Sequence, residues 1–256
     1  MFILKVAKFY PMNPKEMEAC KAFIDEHLKS GKIRKSQSLQ ASPFFFVQKK
    51  DRGLQPCQDY WYLNEHTIKN AYLLPLISTL INKLKGAKYF SKMDIWWGYN
   101  NIRIKEGDEW KAAFTTPFGL YKPLVMFFGQ CNSPPTFQAF MDSTFGDMIA
   151  EGWLINYMDN VLVFAETQEE CQEWTKQVLD RMKKEDLHLK LAKCTFDQTK
   201  VEYLRLVVRK GEVLMDPTKL KAVEQWELPK SVRVVRSFIG FCTFYQKFIP
   251  HFSTLA

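Results

Sequence analysis

The sequence predicts an α+β fold in which an antiparallel sheet is backed by helices. The predicted elements follow one another as strand, helix, hairpin, helix, strand pair and helical tail, whereas a doubly wound parallel fold alternates strands and helices throughout. The chain contains neither Gly-x-Gly-x-x-Gly nor Gly-x-x-x-x-Gly-Lys. The sequence therefore lacks the glycine-rich phosphate loops that are typical of parallel nucleotide-binding sheets.

The composition is that of a chain that buries a core. Hydrophobic residues make up 46% of the 256 positions and charged residues 25%. These fractions exclude an intrinsically disordered chain, and the length fits one large domain or two small ones. The formal net charge is +8, and aromatic residues make up 15%. Positive charge combined with flat rings suits a partner that carries phosphates and bases.

Several classes of protein are excluded. The longest apolar stretches, 43–47 and 124–128, are far shorter than the roughly 18 residues that a membrane helix needs. The first residues have no long apolar stretch and no clear cleavage site, so we expect no signal peptide. The six cysteines are dispersed, and we expect neither a zinc site nor a disulfide framework. We therefore expect an intracellular protein, in a cytoplasmic particle or the nucleus, that is not secreted.

The N-terminal half contains one clear helix and two strands. Asn13 and Glu16 have the spacing of a capping box, which predicts the start of the helix. The apolar segments 43–48 and 88–95 are predicted to be strands. Residues 49–53 are predicted to form a basic turn, which is either a solvated loop tip or a phosphate contact.

The C-terminal half is dominated by a helix and a hairpin. Apolar residues over 137–149 recur at helical spacing and predict one core helix. Two apolar runs within 153–165 flank Asp159-Asn160, which predicts a tight hairpin around this polar pair. Further elements are a helix capped by Thr167, strands at 187–191 and 201–208, a turn at 209–211, a helix from Asp216-Pro217 and a mostly helical segment over 231–248.

Two carboxylates have a chemically informative context. Asp94 ends a predicted strand, and Asp159 lies at the tip of the predicted hairpin. If the two elements pair, both side chains project from one sheet edge, where they repel each other unless cations lie between them. Two Mg²⁺ ions about 3.5–4 Å apart would relieve this repulsion and could activate an attacking hydroxyl group. The alternative is that both are plain solvated residues, one in a turn and one at a strand end.

The residues around Asp159 carry a further signal. Tyr157-Met158-Asp159-Asn160 resembles the Tyr-x-Asp-Asp box of reverse transcriptases, with Asn in place of the second Asp. Nearly the whole chain resembles the reverse transcriptase of gypsy-type long-terminal-repeat retrotransposons, because six further segments match motifs of that family in order and spacing. These segments are 33–36 with 42–51, Cys57-Gln58-Asp59-Tyr60 with Leu63-Asn64, Phe90-Ser91-Lys92-Met93-Asp94 with Gly98-Tyr99, 114–134, 201–204 and 236–250.

The resemblance implies roles for individual residues. Asp94 and Asp159, with Asn160 beside them, would hold two Mg²⁺ ions, with Mn²⁺ as an alternative. On these ions the primer 3′-hydroxyl would attack the α-phosphate of a nucleotide. The other implied site residues are Lys49, Gln55, Trp97, Gly98, Phe128 and Gly129 at the deoxynucleoside triphosphate, Tyr99 as the residue that excludes a 2′-hydroxyl, and Tyr203, Leu204 and Arg205 at the primer end.

The resemblance also implies a right-hand polymerase fold and its partners. The fingers would comprise 1–86 and 111–131, the palm 87–110 and 132–208, and the start of a thumb 209–256, leading toward a ribonuclease H domain that the sequence does not contain. The partners would be an RNA or DNA template with a primer duplex and deoxynucleoside triphosphates. The chain would normally be part of a polyprotein with protease, ribonuclease H and integrase, with no membrane association.

Four residues depart from the family pattern. Gln55 and Trp61 stand where Arg is usual, Asn160 where Asp is usual and Arg205 where Gly is usual. Gln55 removes a planar cation from the triphosphate, and Asn160 removes a charge from the metal site, so we expect weaker binding of both. Arg205 brings a long side chain to a position that favours glycine. Each change follows from one C-to-T or G-to-A transition, which favours the hypothesis of a decayed copy altered by cytosine deamination.

Two alternatives to an active polymerase stay open. A catalytically inactive, nucleic-acid-binding remnant would keep the fold without the chemistry. Gln55 and Asn160 favour this remnant, whereas Asp94, Asp159 and Tyr99 favour the enzyme. A two-metal nuclease would also use paired carboxylates, but the sequence contains no further acidic cluster to support it.

Overall fold

The computed structural model describes residues 4–48, 53–210, 212–249 and 251–255, and the chain forms two compact units. Unit 1 contains the residues up to Leu74, Ile95–Gly146 and Tyr157–Asp159, and unit 2 contains Pro75–Asp94, Asp147–Asn156 and the residues from Asn160 onward. The division into fingers, palm and thumb stays a prediction.

Helices and strands alternate irregularly along the chain. The helices are α1 (Pro14–Lys29), α2 (Trp61–Glu65), α3 (Ile77–Lys83), α4 (Ser133–Thr144), α5 (Gly146–Glu151), α6 (Gln168–Lys184), α7 (Pro217–Glu224), α8 (Val232–Phe244) and α9 (Phe252–Leu255). The strands are β1 (Ile33–Lys35), β2 (Ser42–Gln48), β3 (Leu54–Gln58), β4 (Tyr89–Asp94), β5 (Phe114–Thr116), β6 (Gly119–Pro123), β7 (Leu154–Tyr157), β8 (Asn160–Ala165), β9 (Thr195–Gln198), β10 (Lys200–Tyr203), β11 (Leu206–Arg209) and β12 (Glu212–Met215). None of the described helices combines the length and apolar character needed to span a membrane.

Unit 1 is built on a five-stranded sheet in the order β1-β6-β5-β2-β3. Its strand pairs are antiparallel except β2 with β5. Helix α1 begins with the predicted capping box of Asn13 and Glu16, and its face packs Phe23 against Phe44 with ring centroids 5.2 Å apart. Phe44 and Phe114 are fully buried, and burying each such ring contributes about 1.5–3 kcal/mol. This aromatic core holds α1 against the sheet.

Unit 2 contains a four-stranded sheet in the order β7-β8-β4-β9 and a three-stranded sheet in the order β10-β11-β12. β4 and β8 are antiparallel, with Tyr89 opposite Ala165 at one end and Asp94 opposite Asn160 at the other. Helix α6, which begins at the predicted capping box of Thr167, buries Val178 beside this sheet. The central strands are therefore covered by an apolar helix face.

The helix predicted over 137–149 is two helices, so this prediction was wrong. α4 ends at Thr144, and α5 begins at Gly146. Phe145 between them leaves the helical conformation, with a φ of −116°, and is fully buried. Because glycine stabilises a helix interior by about 1 kcal/mol less than alanine, the break between the two helices falls at Phe145 and Gly146.

The strand predicted at 187–191 does not form, so this prediction was also wrong. Leu187 is buried, whereas Leu191 is 72% exposed and begins a short 3-10 helix that ends at Lys193. The alternating leucines therefore do not mark one buried face. The segment is held by the Lys190 N–H, which donates to the Asp94 carbonyl oxygen at 2.9 Å.

The segment predicted as one strand over 201–208 is the hairpin of β10 and β11. Its turn residues, Leu204 and Arg205, have φ values of 49° and 67°. The side chain of Arg205 is exposed, so its departure from glycine affects the backbone rather than the packing. At the next turn Arg209 pairs with Glu212, while Gly211 lies outside the described residues.

The left-handed conformation of Arg205 predicts that Arg205→Gly stabilises the protein. An L-residue in this conformation costs roughly 1–2 kcal/mol, and part of the gain is offset by the greater freedom of glycine in the unfolded chain. We expect the free energy of unfolding in urea to rise by about 0.5–1 kcal/mol. Arg205→Ala removes the same charge but keeps the strain, so an equal gain in this control would contradict the backbone explanation.

Candidate active site

Asp94 ends β4 in unit 2 and is held by the segment that follows α6. Its backbone N–H donates to the Cys194 sulfur at 3.5 Å, and its carbonyl oxygen accepts from Lys190. The side chain is only 12% exposed, and the Lys193 ammonium lies 3.4 Å from its Oδ2. A nearly buried carboxylate at a strand end is thus already paired with a cation.

Asn160 begins β8 directly opposite Asp94. Its carbonyl oxygen accepts a hydrogen bond from the Tyr203 hydroxyl at 3.3 Å. Tyr203 is 1% exposed, so its ring is part of the core of unit 2. The residue that the resemblance assigned to the primer end therefore anchors the backbone of β8, whereas Arg205 in the turn of this hairpin is exposed.

The hairpin turn is one residue earlier than predicted. β7 ends at Tyr157 and β8 begins at Asn160, so the turn residues are Met158 and Asp159, and the predicted Asp159-Asn160 turn was wrong. Met158 has a φ of 55°, and its N–H donates to Gln138 Oε1 at 2.8 Å. This bond from α4 stabilises the left-handed conformation at Met158, which begins the turn.

Asp159 lies beside Gly98 in unit 1. The Asp159 carbonyl oxygen accepts from the Ile95 N–H at 2.9 Å. A Cβ atom built on Gly98 would lie 3.0 Å from Phe137 Cζ and 3.3 Å from Asp159 Cβ. The lack of a side chain at Gly98 therefore permits the close approach of the turn that carries Asp159.

The ring of Trp97 is occupied by contacts within unit 1. The Lys32 ammonium lies 3.2 Å from the ring centroid, and the His27 ring is stacked on it at 5.7 Å. Burial lowers the pKa of both His27 and Lys32. Trp97 itself has a left-handed φ of 56° and precedes the short helix Gly98–Asn101. The half-buried ring of Trp97 therefore already contacts two side chains of unit 1.

Tyr99 is packed between two aromatic rings. Its ring centroid lies 4.9 Å from that of Phe128 and 5.7 Å from that of Phe137. Tyr99 is 8% exposed, whereas Phe128 is 58% exposed. Burial, with smaller contributions from the charges of Asp159 and Tyr157, raises the pKa of Tyr99 to about 12. Its hydroxyl is therefore protonated at neutral pH, and its ring orientation is restrained.

Gly129 is fixed by residues of the Cys57–Asn64 motif. It has a φ of 95°, and an added Cβ would lie 3.2 Å from the Gln58 carbonyl oxygen. The Asn64 side chain donates to the Gly129 carbonyl oxygen at 2.7 Å and accepts from the Cys131 N–H at 2.8 Å. This pair of bonds explains why an asparagine closes that motif.

The remaining predicted residues lie outside this arrangement or outside the described chain. Gln55 lies on β3 opposite Val47 and is half-buried. Leu204 and Arg205 form the hairpin turn in unit 2. Lys49 lies outside the described residues.

Sequence reasoning missed Lys193 and Gln138. Lys193 lies among several basic residues, and only the folded chain shows which of them faces Asp94. Gln138 carried a usable signal, because it is a polar residue that lies between the buried apolar residues Phe137 and Met141. A fully buried amide in such a place needs hydrogen-bond partners.

Asp94 in unit 2 and Asp159 in unit 1 each offer a carboxylate of the type that divalent metals bind. Carboxylate oxygens are the ligands that Mg²⁺ prefers, and Mg²⁺ is commonly held by one or two carboxylates together with phosphates and water. Within the described ranges, no group of three or more His, Cys, Asp or Glu side chains is placed to hold a metal. The ammonium of Lys193 at Asp94 indicates that this carboxylate lies where a cation is favourable.

The geometry at Gly98 predicts that Gly98→Ala destabilises the protein. The new methyl group would overlap Phe137 and crowd Asp159, and overpacking of this kind costs about 1–3 kcal/mol, measured by urea unfolding. Gly240→Ala is the matched control, because nothing lies within 4 Å of its built Cβ. We expect that control to raise stability by roughly 0.5–1 kcal/mol through helix propensity. Equal effects at both positions would contradict the crowding.

Comparison with known proteins identifies relatives along almost the entire chain. A model of the reverse transcriptase (RNA-dependent DNA polymerase) family matches residues 33–208. The transposon Tf2-7 polyprotein of Schizosaccharomyces pombe is 36% identical over 246 residues, which cover 96% of this chain and 18% of the polyprotein. The transposon Tf2-3 polyprotein of the same organism is 35% identical over the same share. This chain thus spans 18% of the length of these relatives.

Solved structures show the same fold. The foamy viral protease-reverse transcriptase dRH in complex with double-stranded DNA has a TM-score of 0.91 at 20% identity, over 99% of this chain and 44% of that chain. The foamy viral protease-reverse transcriptase in complex with an RNA/DNA hybrid has a TM-score of 0.80 at 20% identity, over 94% and 32%. The predicted α+β polymerase fold and the resemblance to gypsy-type retrotransposons are confirmed. The chain belongs to the reverse transcriptase family of RNA-dependent DNA polymerases.

Proposed function

We propose that this chain is the RNA-directed DNA polymerase part of a longer retrotransposon polyprotein, with a catalytic activity that Asn160 and Gln55 impair. One observation carries the proposal. The β4–β8 register places Asp94 opposite Asn160, and Asp159 directly precedes Asn160 in the sequence. This register supports a role for both carboxylates in a family that performs metal-dependent nucleotidyl transfer.

Polymerases of this kind use divalent metal ions, and we propose two Mg²⁺ ions for this chain. Asp94 and Asp159 would be the ligands, with the Asn160 amide oxygen as a weaker neighbour. When bound, the ions would activate the primer 3′-hydroxyl and neutralise the charge of the pyrophosphate. The Asp94 backbone is held by the Lys190 N–H and the Cys194 sulfur, which fixes the end of β4 from which the carboxylate projects.

The proposed nucleotide site is built around Tyr99. Because Phe128 and Phe137 restrain its ring, Tyr99 would leave no room for a 2′-hydroxyl and would select deoxynucleotides. Phe128 supports this role through its exposed ring. The other proposed contacts to the triphosphate are Lys49, Gln55, Gly129 and the backbone at Trp97 and Gly98.

The proposed partners follow from the relatives. The foamy viral structures contain double-stranded DNA or an RNA/DNA hybrid, which supports a template with a primer duplex as the substrate of this chain. The Tf2 relatives are polyproteins, which supports an intracellular polyprotein with protease, ribonuclease H and integrase regions. Leu204, which is half-buried, and Arg205, which is exposed, are the proposed contacts to the primer. The proposed divisions are fingers at 1–86 and 111–131, palm at 87–110 and 132–208, and the start of a thumb at 209–256.

A catalytically inactive nucleic-acid-binding remnant is the second candidate. The Lys193 ammonium 3.4 Å from Asp94 Oδ2 favours it, because this cation competes for a metal-binding oxygen. Asn160 and Gln55 also favour this candidate, because they remove a negative charge from the proposed metal site and a positive charge from the proposed triphosphate site.

Primer extension distinguishes the two candidates. The chain and the variant Asn160→Asp with Gln55→Arg are assayed on an RNA template with a DNA primer, deoxynucleotides and Mg²⁺ or Mn²⁺. We expect little extension by the chain as it stands and more by the variant, because the variant regains a metal-binding charge and a phosphate-binding cation. Asp94→Asn in the variant should abolish extension. Extension that survives this change would contradict the proposed site, and equal robust extension by the first two proteins would show that the departures do not matter.

Lys193→Met should lower the Mg²⁺ concentration needed for half-maximal extension by the variant. The ion pair with Asp94 is partly exposed and is therefore worth up to about 1 kcal/mol, which corresponds to a change of at most about fivefold. Lys184→Met removes the same charge at the end of α6 and is the control. An equal shift in the control would assign the effect to net charge rather than to Asp94.

A further inference from the structure

The turn that carries Asp159 has a conformation that its own sequence does not favour. Met158 has a φ of 55°, which costs an L-residue about 1–2 kcal/mol unless other contacts stabilise it. Its N–H is bonded to the side chain of Gln138 at 2.8 Å, twenty residues earlier in the chain. The restraint on this turn therefore comes from α4.

The amide of Gln138 has only one orientation that satisfies its neighbours. Gln138 is fully buried, and its Nε2 donates to Asp142 Oδ1 at 2.9 Å while Oε1 accepts from Met158. A backbone N–H can only donate and a carboxylate can only accept, so a flipped amide would lose both bonds. The bond to Asp142 therefore fixes the Gln138 amide in the orientation that accepts from Met158.

The second oxygen of Asp142 is also bonded. The Tyr72 hydroxyl donates to Asp142 Oδ2 at 2.6 Å, and this bond, with smaller effects of burial and charge, raises the pKa of Tyr72 to about 12. The hydroxyl therefore keeps its proton in the neutral range. Tyr72 is 40% exposed and lies between α2 and α3, where Asn70 accepts from its N–H and donates its own N–H to Asn132.

We propose that Gln138 is a positioning residue for Asp159, and that Tyr72 and Asp142 extend its hydrogen-bonded line to the surface segment around Tyr72. Every bond of this line lies within unit 1 and is 2.6–2.9 Å long. The line joins the exposed segment around Tyr72 to the turn formed by Met158 and Asp159. Its effect on catalysis depends on the proposed function, whereas its effect on the turn does not.

Amide hydrogen exchange tests the line without any requirement for activity. The chain is labelled with ¹⁵N-methionine, and the Met158 signal is assigned with Met158→Leu. In Gln138→Met we expect exchange of the Met158 amide to accelerate by about tenfold or more, because a side chain of similar volume removes its only described acceptor. Gln177→Met, on the exposed face of α6, is the matched control and should leave Met158 unchanged.

A second pair of variants keeps the test informative if Gln138→Met does not fold. Tyr72→Phe removes one partly exposed hydroxyl and should shift the Met158 amide resonance and accelerate its exchange by a smaller factor. Tyr62→Phe, on the neighbouring α2, is its control. A Met158 amide that is unaffected by both Gln138→Met and Tyr72→Phe would overturn the proposal.

The catalytic consequence is measured in the Asn160→Asp, Gln55→Arg variant. Adding Gln138→Met should lower kcat by about tenfold while KM for deoxynucleotides changes less than about twofold, because Asp159 moves and the nucleotide contacts do not. An unchanged kcat would overturn the positioning role. If no variant extends a primer but Gln138→Met still releases the Met158 amide, the proposed function fails and the restraint on the turn stands.

Discussion

The pairing of β4 with β8 is the constraint on which the rest of the candidate site depends. Side chains alternate between the two faces of a strand, so a slip of one residue would turn Asp94 to the other face and change the residue opposite it. The register is held by buried pairs such as Phe90 with Phe164 and Met93 with Val161. Apolar packing in unit 2 thus determines where a carboxylate lies, although the carboxylate contributes nothing to that packing.

Within unit 1, the conformation of the turn formed by Met158 and Asp159 is determined by residues that are far from it in the chain. Gly98 permits the close approach because it has no side chain. The Gln138 side chain accepts a hydrogen bond from the backbone N–H of Met158, the residue with the left-handed conformation. Tyr99 is restrained by two aromatic rings in the same way. The local backbone would not hold these conformations without such contacts, since left-handed residues other than glycine are intrinsically unfavourable.

The departures from the family pattern fall where the fold tolerates them. Trp61 is 78% exposed, Arg205 is exposed in a turn, and Gln55 is half-buried on β3. Substitutions at such positions usually change stability by a few tenths of a kcal/mol to about 1 kcal/mol, which a buried aromatic core easily outweighs. The fold is therefore retained while charge is lost from the positions assigned to metal and triphosphate, because fold and chemistry depend on different residues.

The sequence by itself determined the features whose signals are local. The capping boxes at Asn13 and Thr167 specify where α1 and α6 begin, and the apolar run before Asp94 specifies β4. It also carried the order of motifs by which the family is recognised. These features involve residues within a few positions of each other, so their physics can be read along the chain.

Only the tertiary structure decided the contacts between distant residues. It moved the hairpin turn to Met158 and Asp159 and paired Lys193 with Asp94. No local propensity could reveal these outcomes, because each depends on a partner tens of residues away that becomes a neighbour only when the apolar faces are buried together.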